Sequence, residues 1–275
     1  MSSSSAIPAA RPTTALDRLT ARVRDEGDAQ QSTASVAFLT VQGSQHAGRR
    51  TGYVNTVLSV RVGAAVGSCA VEPGELRDDH VREIVGGNVA DLLAHPHPAV
   101  RVAVLDAFLA DSAPHAADPR ARTVRVPGGS SLDKSTARAR AVVDLVPGTG
   151  PVAVIGVVNS LLVQLRERGL DYLPCDFKGG STEWDEPVLT DHEQAIAGAG
   201  SVLASGMVLG NGSFDRIAQL CAERGLPLVM FAQTGSAVLR ELLGAEVSAL
   251  SAEPYPFFWL TGDATDIHCY PGGVS

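Results

Sequence analysis

The spacing of apolar positions changes character along this chain. Leu16–Val23, followed by acids, predicts a first helix. Thr33–Val41 alternates weakly and predicts a strand. After a polar turn over Gly43–Arg50, Thr51–Val62 carries Val54, Val57, Val60 and Val62, and Gly63–Val71 is small and apolar. Together these predict a meander of strands with glycines at the bends. The period then turns helical. Leu76, Val81, Ile84 and Val85 share a face, and Gly86-Gly87 closes that helix. Asn88 is placed to cap Val89–Ala94. His95-Pro96-His97-Pro98 is a break, and Pro98 suits the first turn of a helix over Ala99–Ala110, where its missing N–H costs nothing. Strands followed by helices define an α+β unit.

Asp111–Gly150 is the join. Ser112–Asp118 and Val126–Ser131 are predicted loops, and Leu132–Val146 a helix with Arg138 and Arg140 exposed. Beyond Pro147–Gly150 the pattern changes class. Pro151–Val158 is a fully apolar run, the signature of a strand buried on both faces. Leu170–Cys175, Ser201–Leu209, Leu226–Phe231 and Glu246–Ala252 predict further strands. Between them lie helices over Ser160–Arg168, Asp191–Ala199, Phe214–Arg224 and Ser236–Leu243, three of them stopped by Gly169, Gly225 and Gly244. Such alternation predicts right-handed crossovers and a doubly wound sheet. Tyr255–Tyr270 adds one or two strands.

Composition narrows the class. With 275 residues and 45% hydrophobic positions the chain can bury a large core. A formal charge of −8 disfavours nucleic acid and anionic lipid as partners. The longest apolar stretch, Val152–Leu165, is interrupted by Asn159, Ser160 and Gln164, so no membrane span is expected. Four cysteines, at 69, 175, 221 and 269, form no C-x-x-C, and a cytoplasmic protein with reduced thiols is expected. Met1–Thr14, rich in Ser, Ala and Pro, is expected to be a disordered leader.

Ligands of open α/β sheets bind beyond the carboxyl ends of the strands, at the switch in strand order. That rule selects the loops at Val157–Ser160, Asp176–Glu186, Gly210–Ser213 and Gln233–Ser236. Each precedes a helix whose first N–H groups would stabilise an anion. Gly156 stands alone, without G-x-G-x-x-G, and the branched Val157 and Val158 would obstruct a pyrophosphate; no conventional NAD or FAD site is expected. Asn159, Asn211, Ser213, Thr234, Gly235 and Ser236 are the candidate ligand contacts. For Asn211, Ser213, Thr234 and Ser236, capping is the competing role. Phe177–Glu186 supplies Lys178 to meet an anion, and Glu183 and Asp185 as acid–base candidates, or a solvated loop. His95, His97, His268 and Cys269 are the candidate metal ligands; no H-x-x-x-H or H-E-x-x-H occurs. No G-x-S-x-G elbow surrounds Ser205, which lies inside a predicted strand.

His95–Asp111, Val152–Gly156, Ala199–Phe214 and Leu226–Val238 together resemble segments of a known family. It is the heavy-metal chelation family, in which a Rossmann-like C-terminal domain follows a small domain like the N-terminal domain of enolase. The chain departs from it at Gln233–Ser236 and in the insertion Phe177–Glu186. The resemblance implies an α/β fold, with a Rossmann-like doubly wound sheet in the C-terminal half preceded by a small α+β domain. The expected limits are 15–125 and 126–275, with the sheet starting near 151. It further implies binding of a small anionic, metal-chelating ligand between the domains, with a divalent transition metal as candidate cofactor. The alternative is a small-metabolite lyase, cyclase or transferase using Lys178, Glu183 or Asp185 in the same cleft. A homo-oligomer is compatible with either.

Overall fold

The computed structural model describes residues 13–50, 52–148, 150–255 and 261–273, so most of the predicted leader and part of the predicted C-terminal strands lie outside the described residues. Helix α1 (Ala15–Arg24) opens with a reciprocal cap: the Thr14 hydroxyl accepts the Asp17 N–H, and the Asp17 carboxylate accepts the Thr14 N–H. A short α2 (Gly27–Gln31) leads to the predicted meander, β1 (Ala34–Ser44), β2 (Tyr53–Val62) and β3 (Ala65–Val71), antiparallel in the order β1-β2-β3. Helices α3 (Asp78–Ile84), α4 (Val89–Leu92) and α5 (Pro98–Ser112) follow. Asn88 caps α4 as expected, accepting from the Ala90 N–H at 2.9 Å. Helix α5 is buried from Val102 to Leu109. A helix apolar all round sits inside a core. Here α5 lies between the meander and the second sheet. Gly67 allows β3 to rest on it: a β-carbon there would sit 2.0 Å from the Ala107 nitrogen.

After a 3-10 turn at His115–Ala117 the chain enters the second sheet earlier than its apolar period suggests. Strand β4 (Arg122–Val126) pairs antiparallel with the last strand. Helix α6 (Ser131–Val143) carries Arg140 exposed, as expected, but Arg138 is buried. That correction has a clear cause. Arg138 Nε donates to Glu253 at 2.8 Å, and the guanidinium lies over the Phe231 ring. Reading one helix alone cannot show that its polar face meets another element's carboxylate.

The remaining elements are β5 (Val152–Ile155), α7 (Asn159–Glu167), β6 (Tyr172–Cys175), α8 (His192–Ala197), β7 (Ser201–Ser205), α9 (Met207–Gly210), α10 (Phe214–Arg224), β8 (Leu228–Ala232), α11 (Ser236–Arg240), β9 (Ala249–Ala252) and β10 (Thr265–Tyr270). The predicted strand at 201–209 is thus a strand followed by a helical turn, and Ser205 is its half-exposed last residue. The seven-stranded order is β4-β10-β9-β8-β7-β5-β6. Strands β6, β5, β7, β8 and β9 are parallel; β10 and β4 close one edge antiparallel. Side chains alternate between two cores. Val152, Val154, Leu203, Val229 and Phe231 face α6 and α7, whereas Ala153, Val202, Ala204, Leu228 and Met230 join the core that includes α5. The fold is therefore a Rossmann-like sheet preceded by a smaller α+β unit. Strand order reverses between β5 and β7, the switch point.

Candidate functional site

At the switch point the chain leaves β5 through Gly156, in the left-handed region at φ +88°, its N–H held by the Cys175 carbonyl. A β-carbon at Gly156 would sit 2.8 Å from Ser205 Cβ, so the tips of β5 and β7 abut. The chain then starts α7. No side chain caps this helix; its N-cap is Val158. The N–H groups of Asn159 and Ser160 have no acceptor among the described residues. These are the orphan donors of a helix start, at its positive dipole end.

The tip of the β1–β2 hairpin contacts the loop after β6 and the start of α6. Arg49 is ion-paired with Glu183, and Arg50 donates to both Asp185 carboxylate oxygens at 3.1 and 3.2 Å. His46 Nδ1 lies 2.9 Å from the hydroxyl of Ser131, the first residue of α6. One turn on, the Ser135 hydroxyl meets that of Ser160 at 2.8 Å. Contacts therefore run from the loop after β6, through the hairpin tip and α6, to the start of α7. Two buried acceptors along them lack a donor among the described residues: Glu183 Oε1 and Asn159 Oδ1. Burial, then the nearby Arg49, lowers the His46 pKa, against the opposing pull of Glu183. Arg50 holds the Asp185 carboxyl below the usual range. Val157, Val158 and Trp184, all half-buried, pack on one apolar cluster below.

The helix starts beyond β7 and β8 are served from within the chain. Thr234 and Gly235 are buried, and the Gly235 N–H donates to the Ser68 carbonyl. Asp106 of α5 accepts the Ala237 N–H of α11 at 2.7 Å and the Ser68 N–H of β3 at 2.9 Å. Burial pushes that carboxyl up to about 6 against the pull of these N–H groups. The Ser236 hydroxyl contacts His115 Nε2 at 3.2 Å, and His115 Nδ1 contacts the Tyr270 hydroxyl at 2.7 Å. The Asn211 side chain accepts from both the N–H and the hydroxyl of Ser213. Of the six candidate ligand contacts, Asn159 is the one that keeps an unpartnered buried polar atom.

Lys178 is exposed, while Glu183 and Asp185 are engaged by arginines. The candidate metal ligands do not assemble. The His95 ring stacks near His97, with His80 edge-on to His97, but His95 Nδ1 accepts the His97 N–H and His80 Nδ1 accepts the Arg77 N–H. His268 and Cys269 are adjacent on β10 and point to opposite faces. Among the described residues no group of three or more His, Cys, Asp or Glu is disposed to hold a metal ion. Two surface cavities lie elsewhere. One, of about 370 Å³, is lined by Asp118, Arg120, Arg240 and Glu241 among others; one of about 520 Å³ is lined by Arg24, Asp25, Asn88 and Asp91 among others.

Sequence reasoning did not find His46, Arg49, Arg50 or Asp106. The signal available was charge: an Arg-Arg pair in one polar turn and three acids in Phe177–Glu186.

No family model and no curated protein matches the chain. Solved structures show what it resembles. A DUF364-family protein of unknown function from Pyrococcus horikoshii is 15% identical, with a TM-score of 0.59 over 93% of this chain and 99% of that one. A second from Desulfitobacterium hafniense DCB-2, also of unknown function, is 13% identical, with a TM-score of 0.55 over 91% and 98%. The similarity extends over both sheets and concerns the fold. No described helix is long and apolar enough to cross a membrane.

Proposed function

We propose that the protein binds a small anionic ligand at the start of α7. The single carrying observation is the uncapped start of α7 at the switch point, with the Asn159 and Ser160 N–H groups unused. Helix starts with free donors bind carboxylates and phosphates, and pockets favour the junction of two units. The full-length likeness to DUF364 proteins supports a distant family relationship. Metal chelation enters through the sequence resemblance alone. Among the described residues no donor set fits a resident metal, and the proposed ligand is one that could itself chelate a metal. Binding is favoured over acid–base catalysis because Glu183 and Asp185 are held in ion pairs.

Titration of the protein with acetate, lactate and citrate, followed through backbone amide shifts, tests this reading. Saturable shifts are expected at Asn159 and Ser160. Shifts confined to other surfaces, or none, would remove the site.

A further inference from the structure

Arg138 is oddly provided for. It is 4% exposed, and its guanidinium carbon lies 5.1 Å from the centroid of the Phe231 ring. Its charge is offset by the fully buried Glu253. Arg138 Nε donates to Glu253 Oε2 at 2.8 Å, Gln233 Nε2 donates to the same oxygen at 3.3 Å, and the Ser251 hydroxyl donates to Oε1 at 3.0 Å. Both carboxylate oxygens are thus satisfied. The guanidinium is not. Of its N–H donors, Nε–H alone has an acceptor among the described residues, and the Nη groups keep contact with solvent. Buried polar groups are normally paired, and a buried ion pair offsets its desolvation cost only when its remaining donors are met.

The fold sets where those Nη groups open. Phe231, on β8, is the register partner of Ser205 on β7 and of Ser251 on β9. Gln233 and Glu253 follow two residues beyond Phe231 and Ser251, on the same face of the sheet. Arg138 therefore stands over the carboxyl ends of adjacent parallel strands, the side of an open sheet where ligands bind. Charge and shape select the ligand. Glu253 already offsets the arginine, so a polyanion would add its surplus charge beside a buried carboxylate. A single planar carboxylate adds one charge and matches the Nη1–Nη2 edge with two parallel N–H···O bonds.

We infer that Arg138 is a carboxylate-binding fork: Glu253 holds its Nε edge, and Nη1 and Nη2 receive the carboxylate of a monoanionic ligand beyond the strand ends. This contact is separate from the start of α7 and does not depend on it.

Titration of the unaltered protein with acetate, and with uncharged acetamide, decides it through the side-chain N–H signals of Arg138 in nuclear magnetic resonance spectra. Acetate should shift the Nε–H signal saturably and slow the rotation of the Nη groups; acetamide should do neither. Arg138→Lys keeps a cation beside Glu253 but lacks the fork. It should need at least about tenfold more acetate to half-saturate the shifts of the Gln233 and Glu253 amides, the scale of one charge-assisted hydrogen bond. Arg138 signals unmoved by acetate, or moved equally by acetamide, would overturn the fork, as would undiminished affinity in the variant. The Asn159 and Ser160 amides, read in the same titration, report on the start of α7, so either site can fail without the other.

Discussion

His115, half-buried, and Asp106, buried, both lie near the start of α11, and loss of solvent moves their proton affinities in opposite directions. Burial, then Arg240 and His268, push the His115 ring from its ordinary 6.5 down to about 3. The unfolded chain therefore takes up that proton first. The stabilising contribution of neutral His115 is whole above 6.5 and drains as pH falls toward 3. Asp106 is raised from 3.8 to about 6, so its contribution is whole below 3.8 and drains as pH rises through 6. Gln at position 115 would keep one donor and one acceptor but cannot titrate. Between pH 6.5 and 4 the His115→Gln variant should therefore lose less stability than the parent, by about 1.4 kcal/mol per pH unit. Urea denaturation across that range measures the slopes; parallel slopes would show His115 titrating normally. Neither role was legible in the sequence. His115 lies in a predicted loop, and Asp106 looks like a polar interruption of an apolar helix. What determines both is a neighbour distant in the chain, Tyr270 or Ala237.

Elements were more legible than contacts, because period and punctuation are local. Pro98 at the start of α5, Asn88 capping α4 and Gly225 ending α10 all act within one turn. The fully apolar strands β5 and β8, and the apolar centre of β7, declare burial on both faces, and their alternate residues enter two different cores. β4 escaped notice because RTVRV is mostly polar and exposed on an edge strand. Gly206 ended β7 early because its backbone passes tightly under the Thr234 carbonyl, where a β-carbon would lie 2.3 Å away. The same kind of contact sets a prediction for β3 on α5. A side chain at 67 would collide with the Ala107 nitrogen and the Ala103 carbonyl, main-chain atoms that cannot rotate aside. Gly67→Ala should cost about 3 kcal/mol, the upper part of the range for overpacking. A loss below about 1 kcal/mol by chemical denaturation would mean that α5 and β3 are not in backbone contact.

At the scale of the whole molecule, the two sheets are joined by unlike seams. One is dry and deep, where α5 packs beneath the meander and Asp106 ties β3 to α11. The other is polar, where the hairpin tip holds the loop after β6 through Arg49 and Arg50. Strand order and the partner of each loop are properties of the assembled sheet, which is why Asn159 and Glu183 were legible as candidates but the arginine that pairs with Glu183 was not. The two arginines differ sharply in surroundings. Arg50 and Asp185 are both about two-thirds exposed, a class of pair worth little. Arg49 faces a Glu183 side chain that is almost fully buried, and its removal would leave that carboxylate without a charged partner. Lifting of the hairpin tip would relieve that penalty by letting water reach Glu183, with the deep seam staying shut. Arg49→Ala should therefore raise amide hydrogen exchange over residues 44–53 and 176–189, with little change in exchange along α5. Arg50→Ala should change neither region appreciably. Hydrogen-exchange mass spectrometry on the two variants separates the cases. Equal acceleration in both would make the seam a diffuse surface contact, and acceleration reaching α5 would show that the two seams open as one.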